Sequence, residues 1–361
     1  MNAAGSRLTV GVLFPERFHA DHASFAAALD RLRCAHPSVD VEVAPYEDCS
    51  ERRTRRSRPD FVRRDDDVDT LSERQREVYS RMEVALALDL PFDVIDLAPR
   101  LRWVQAAGAG VGQLRSLGLP TSSIRLSTAA GTSAPEIAEF VLARVLEHAK
   151  HLRELDSMQR ERTWRPVYGR VVGDLTIALV GLGAINLAVA RLASAFGMRV
   201  LGVRRRPVRP PIYVDEVVGM TSLHEVLARS DVVVAALPET AETVGCFDEA
   251  AFASMRPGSL FCNVGRGSAV DDVALRAALA RGAPTVAALD VFHTEPLPED
   301  DPCWGDPAVR VSAHCSSVPA RSIERVHELF SANLTRFVAG EPLVNEVPPL
   351  SPNDRTTGAH R

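Results

Sequence analysis

An apolar run, LTIALV at 175–180, ends on Gly181-Leu182-Gly183 and passes at once into a helical pattern that begins at Ala184. No other feature restricts the fold so tightly. A strand that turns into a helix on glycines leaves no side chain over the turn, so backbone N–H groups and the helix N-terminus can approach a pyrophosphate. Gly181, Gly183, Ala184 and Ile185 are the residues placed for this, and the segment reads as a dinucleotide site. The third glycine of the fingerprint is replaced by Asn186, which predicts a slightly displaced helix or an amide that caps nearby backbone.

Alternation of strands and helices surrounds this turn. Apolar, β-branched runs at 175–180, 199–203, 231–237, 259–264, 285–291 and 309–313 predict six strands on one parallel sheet. An earlier series has strands at 7–14, 39–43 and 84–88, a helix at 24–36 with Phe25, Leu29 and Leu32 on one face, and a strand running into a glycine loop at 101–111. Between the series, 132–152 predicts a helix with Thr132 or Ser133 as cap, Pro135 in the first turn and an apolar stripe through Ile137, Phe140, Val141 and Val145. A last helix is expected at 322–340. Because 361 residues exceed one ordinary core, we expect an α/β chain with two Rossmann-like domains, each a doubly wound parallel sheet. Residues 1–135 plus 319–348 form the expected substrate-binding domain, 136–318 the dinucleotide-binding domain, and 349–361 a disordered tail. The active site is expected in the cleft between the domains, with the crossings near 133–137 and 318–322 as hinges.

Composition removes several classes of function. Forty-two Lys plus Arg against forty-seven Asp plus Glu give a net charge of −5, with no general attraction to nucleic acid or anionic lipid. Six scattered cysteines without a C-x-x-C pair fit a reduced setting, and neither a leader nor an apolar span is evident, so a cytoplasmic protein is expected. One stretch departs from the average: 51–81 holds ten arginines and eight acids in thirty-one residues. It reads as a charged, solvated insertion outside the core, ending in a helix across SERQREVYSRM, in preference to a docking arm for an acidic partner.

Downstream of the glycine turn come, in order, LPETAETVG, FASMRPGSLFCNVGRGSAVDDVALRAAL, AALDVFHTEPLP and CWGDPAVRVSAH. With these motifs the chain resembles the D-isomer-specific 2-hydroxyacid dehydrogenase family, most closely its NADPH-type glyoxylate/hydroxypyruvate reductases. The resemblance runs from about 101 to 347 and is looser before that. It implies that Arg266 of the N-x-x-R-G element, Glu295 of E-P-L-P and His314 form the active site. It further implies that Asp290 lies beside the nicotinamide carboxamide, that Pro238 lines the cofactor cleft, and that backbone at Ala109, Gly110 and Val111 holds the substrate carboxylate. A homodimer formed through the cofactor domain is also implied.

The residue types suit the chemistry. Reducing a 2-keto acid requires a proton for the developing alkoxide, and histidine titrates near neutrality, which makes His314 the proton donor. Glu295 can fix the tautomer and favour the imidazolium. The planar fork of Arg266 can orient a carboxylate and polarise the neighbouring carbonyl, and it is thus both catalytic and substrate-binding. The expected activity is NAD(P)H-dependent interconversion of a small 2-keto acid and its D-2-hydroxy acid, of glyoxylate/hydroxypyruvate type. The rival is a catalytically weak, dinucleotide-sensing interaction protein on the same fold.

Cofactor choice should be set about twenty residues after the first glycine, where an acid favours NAD and arginine favours NADP. Arg204 falls there, followed by Arg205 and Arg206, so NADP(H) is expected as the preferred cofactor with NAD(H) possible. No metal is expected: His148 and His151 are three apart but lack a third ligand. Cys315, Trp103 and Trp304 are weaker candidates. Gly112, where many relatives carry an acid or asparagine, and Ala313, where proline is usual, depart from the family pattern.

Overall fold

The computed structural model describes residues 7–20, 22–47, 49–57, 61–64 and 69–349. The chain divides into two compact units, Met1–Thr132 with Pro319–Arg361, and Ser133–Val318. Both are parallel α/β units.

In the first unit, β1 (Leu8–Leu13), β2 (Val39–Val43), β3 (Val84–Ala87), β4 (Trp103–Ala106) and β5 (Arg125–Ser127) form a five-stranded sheet in the order β2-β1-β3-β4-β5. Successive residues of β3 serve opposite faces, as a pleated strand requires. Val84 and Leu86 join a cluster with Phe25, Leu29 and Phe330, whereas Ala85 and Ala87 join one with Val78, Tyr79 and Met82. Trp103, fully buried, stacks on Phe330 and Phe337 of the helix Pro319–Ala339 and donates to Ser127 Oγ at 2.8 Å. It is a core residue.

The arginine-rich stretch corrects the sequence reading. Two parallel strands of one sheet cannot be joined by a tight turn and need a crossover, and 51–81 supplies much of the one from β2 to β3, on the far side of β1. Its expected terminal helix is present, Glu73–Arg81 with a Ser72–Gln75 capping box, but Val78 and Tyr79 face the core. Arg56 is 1% exposed, pairs with Asp89 and donates twice to Leu90 O. Arg56 and the helix Glu73–Arg81 therefore contribute to the core that the composition of the segment argued against.

The second unit holds β6 (Thr176–Val180), β7 (Arg199–Arg204), β8 (Glu216–Gly219), β9 (Val232–Ala235), β10 (Leu260–Asn263), β11 (Val286–Leu289) and β12 (Val309–Val311). Their order is β12-β11-β10-β9-β6-β7-β8, so the sheet has seven strands and not six; β8 is the one the sequence did not yield. Strand order reverses between β6 and β9, the point where open α/β sheets bind ligands beyond the strand C-termini. The helix Ala134–Ala149 packs beside Ala184–Ala195 over Ile177 and Leu179, while Ala178 and Val180 face the opposite layer. It ends earlier than expected, at Lys150, because His151 takes a left-handed conformation before a second helix, Leu152–Glu161. Among the described residues no helix is long and apolar enough to cross a membrane. Apart from residue 349, the expected disordered tail lies outside the described residues.

Candidate active site

At the end of β6, Gly181 has φ 88°, and a Cβ there would sit 2.7 Å from Ala236 O, so only glycine fits. Gly183 caps the helix Ala184–Ala195 without a side-chain bond, and a Cβ built on it meets nothing within 4 Å. That open space lies beside the first-turn N–H groups of Ala184 and Ile185, which the helix itself leaves unpaired. The residues thus fit a pyrophosphate. Asn186 is fully buried and its Nδ2 donates to Val180 O at 3.1 Å and Gly181 O at 3.0 Å. Its amide fastens the turn from inside, as one of the two sequence alternatives required. Arg204 ends β7, and the exposed Arg205 lies 3.9 Å from Glu242. Pro238 is exposed just beyond β9, its carbonyl accepting from Thr243 Oγ1 at 2.6 Å.

Three loops following β10, β11 and β12 carry the charged groups. Arg266 comes three residues after β10, in a turn where Asn263 Nδ2 donates to Arg266 O and Asn263 Oδ1 accepts from Gly265 N, at 3.0 and 3.1 Å. Glu295 follows β11; its Oε1 accepts from Phe292 N at 3.0 Å and its Oε2 from His314 Nδ1 at 2.8 Å. The hydrogen bond to Glu295 raises the pKa of His314, and it prevails over burial and the nearby positive charge of Arg266. Burial pushes Glu295 upward, but the His314 bond and charge, the Phe292 N–H and Arg266 together hold it below the ordinary carboxylate value. Arg266, Glu295 and His314 are therefore one electrostatic group. With Nδ1 committed to Glu295, His314 Nε2 is the nitrogen left to deliver a proton.

Asp290, expected beside the nicotinamide carboxamide, is 1% exposed, and its carboxylate is occupied by the loop that bears His314. Oδ1 accepts from Ser312 Oγ at 2.7 Å and Cys315 N at 3.0 Å; Oδ2 accepts from Ser316 N and Oγ. His314 N also donates to Asp290 O at 2.9 Å, holding the histidine at φ 49°. A left-handed residue other than glycine costs roughly 1–2 kcal/mol. These bonds offset that cost and fix the direction of the imidazole. Ser312 and Ser316 escaped the sequence reading, although serines two residues to either side of a histidine after a strand are the signal that finds them. Cys315 is exposed and enters this network through its backbone only.

In the first unit, the loop after β4 leaves the N–H groups of Ala109, Gly110 and Val111 without a partner among the described residues. Consecutive unpaired N–H groups suit an anion. Gly112 follows, and a Cβ there would lie 2.5 Å from Ser57 O, which explains the absence of a larger residue at this position.

The family model "D-isomer specific 2-hydroxyacid dehydrogenase, NAD binding domain" matches residues 142–316. A glyoxylate reductase from Korarchaeum cryptofilum is 32% identical over 263 residues, covering 69% of this chain and 76% of the relative. The chain belongs to this family. The dehydrogenase also resembles the NADPH-dependent glyoxylate/hydroxypyruvate reductase of Sinorhizobium meliloti solved with NADP and sulfate, with TM-score 0.74 and 25% identity over 95% of this chain and 99% of that one. A D-isomer-specific 2-hydroxyacid dehydrogenase from Xanthobacter autotrophicus Py2, solved with NADPH and MES, gives TM-score 0.74 and 28% identity over 96% and 99%. Family membership establishes NAD(P)-dependent interconversion of keto and hydroxy acids as the reaction, and the open glycine turn after β6 is where the dinucleotide fits.

Proposed function

We propose that this dehydrogenase is an NADPH-preferring reductase of short 2-keto acids of the glyoxylate/hydroxypyruvate type, acting as a homodimer. The observation that carries the reading is the 2.8 Å pair of His314 and Glu295 beside Arg266, an acid whose charged form the Glu295 hydrogen bond favours, next to a fork for a carboxylate. When bound, the reduced nicotinamide supplies the hydride. Arg266 orients the keto acid and polarises its carbonyl, the N–H groups at 109–111 receive its carboxylate, and His314 Nε2 gives the alkoxide its proton while Glu295 steadies the resulting neutral ring.

Cofactor preference rests on Arg204 and Arg205, which present positive charge where an NAD enzyme carries an acid. A hydrogen bond to a charged group contributes about 1.5–3 kcal/mol, so kcat/KM should favour NADPH by roughly tenfold to a hundredfold. Measured at 340 nm with glyoxylate and hydroxypyruvate, this preference should collapse in Arg204→Asp/Arg205→Ala; equal use of NADH by the unmodified enzyme refutes it. Support for the dimer comes from apolar groups left in water on the second unit, Leu152, Leu155, Trp164, Tyr168 and Val171, with Trp164 99% exposed. Light scattering of the purified chain tests it.

A further inference from the structure

At the opposite end of the second unit's sheet from His314, a cavity of about 170 Å³ opens over the first residues of β10 and β11. Its charged lining comes from the helix Ala134–Ala149, the first turn of the helix Leu152–Glu161, and Arg310 of β12. Three guanidinium groups there share one carboxylate. Glu147 Oε2 lies 2.8 Å from Arg144 Nη1, and its Oε1 lies 3.5 Å from Arg310 Nε and 3.8 Å from Arg153 Nε. The other acid of the lining, Glu154, is held by Arg165 at 2.7 Å and does not serve the cluster. Two positive charges are thus left over.

Arg310 bears most of the cost. Its side chain is 13% exposed, and among the described residues its Nε has no close acceptor, Glu147 Oε1 lying 3.5 Å away. Its Nη1 is spent on the carbonyls of Pro307 and Val309 at 2.6 and 3.3 Å. Burial, followed by repulsion from Arg153, makes its charged state less favourable than that of an ordinary arginine. His148, half-buried and bonded to Gly258 O at 3.0 Å, adds no compensating negative charge. Buried cations that outnumber their counter-ions are destabilising unless a further anion completes the set. Guanidinium forks match the oxygens of carboxylate and phosphate.

We propose that this cavity is a binding site for a small oxyanion, a phosphate or a short carboxylate, held between Arg310, Arg144 and Arg153. Size limits the ligand: a water's share of liquid is about 30 Å³, so the space takes a small anion with a few waters. A nucleotide is too large. The site is separate from the catalytic groups, since β11 runs from this cavity to Asp290 at its other end.

The test is titration calorimetry and thermal melting of the full chain, saturated with NADP to fill the dinucleotide site, in phosphate, sulfate and citrate against chloride at equal ionic strength. The oxyanions should raise Tm and bind with measurable heat, and Arg310→Met should weaken the phosphate Kd by about tenfold or more. Arg153→Ala removes a half-exposed side chain and serves if Arg310→Met does not fold; it should weaken binding several-fold with kcat unchanged. An identical response in wild type and Arg153→Ala, or a chloride response equal to that of phosphate, overturns the proposal. If Arg310→Met instead dissociates the protein into monomers and wild type shows no anion response, the counter-charge comes from a second copy and the free-anion site is refuted.

Discussion

Two loops of this dehydrogenase, each following the C-terminal end of a parallel strand, are built on opposite plans. After β12, the polar groups are tied down around one acid: Asp290 binds both flanking serines, two backbone N–H groups approach its carboxylate, and His314 is held through N and Nδ1 with Nε2 left over. After β4, the N–H groups of Ala109, Gly110 and Val111 are left without partners among the described residues. A side chain that must transfer a proton in one direction has to be fixed by the protein, whereas a backbone that is to receive an anion has to be left unsatisfied by it. Unpaired N–H groups are affordable only at a loop surface, where water replaces the ligand.

Breaking the fixed loop should have the largest effect. His314→Ala and Arg266→Ala are expected to lower kcat by at least about 10²-fold, since general acid catalysis alone supplies about 10²–10⁴-fold. Cofactor affinity, read from nucleotide fluorescence quenching, should stay near wild type; near-normal turnover in both variants defeats the assignment. Asp290→Asn keeps the shape of the side chain but substitutes a donor for an acceptor facing Ser316 or Ser312. We expect kcat to fall by roughly tenfold to a hundredfold, because small misplacements of a reacting group cost about that much. An unchanged rate would show that the loop does not depend on this carboxylate.

The open loop gives a different signature. Gly112→Ala places a methyl group against the backbone of Ser57, so the first turn after 109–111 must shift. KM for the keto acid should rise by about tenfold with kcat little changed, as befits lost ground-state binding. A fall in kcat at constant KM would show that both loops act on the same step. The smallest effect belongs to Glu295→Gln. Glu295 raises the pKa of His314, so its loss lowers that pKa, and the imidazolium needed for reduction disappears at a lower pH. The pH profile for reduction should therefore move to the acid side, while oxidation, which needs the neutral ring, extends toward lower pH. A shift in the alkaline direction contradicts the pairing.

The sequence made the second unit largely legible, because its strands are continuous apolar runs and its charged groups sit in ordered motifs. What it hid was short or long-range. Glu216–Gly219 and Arg125–Ser127 are edge strands of four and three residues, too brief to show a period. Arg56 reads as solvated because its partner, Asp89, lies thirty-three residues away and nothing local announces the pairing. Val78, Tyr79 and Met82 form a narrow apolar stripe inside a strongly charged window, and averaging the window erases it. Asp290 was singled out through the family resemblance, but its hydrogen-bonding partners are set by how two loops meet.

Ala313 precedes His314 where the family resemblance leads one to expect proline. A pyrrolidine ring would restrict the chain covalently at every temperature. Here the order of the loop is carried by hydrogen bonds that converge on one buried carboxylate. Such order is thermally graded: each bond gives up enthalpy and regains chain entropy as it opens, and neighbouring bonds on the same oxygen loosen with it. Warming should therefore blur the aim of the imidazole before the parallel sheet beneath it melts, so that this enzyme's activity and its fold fail at different temperatures.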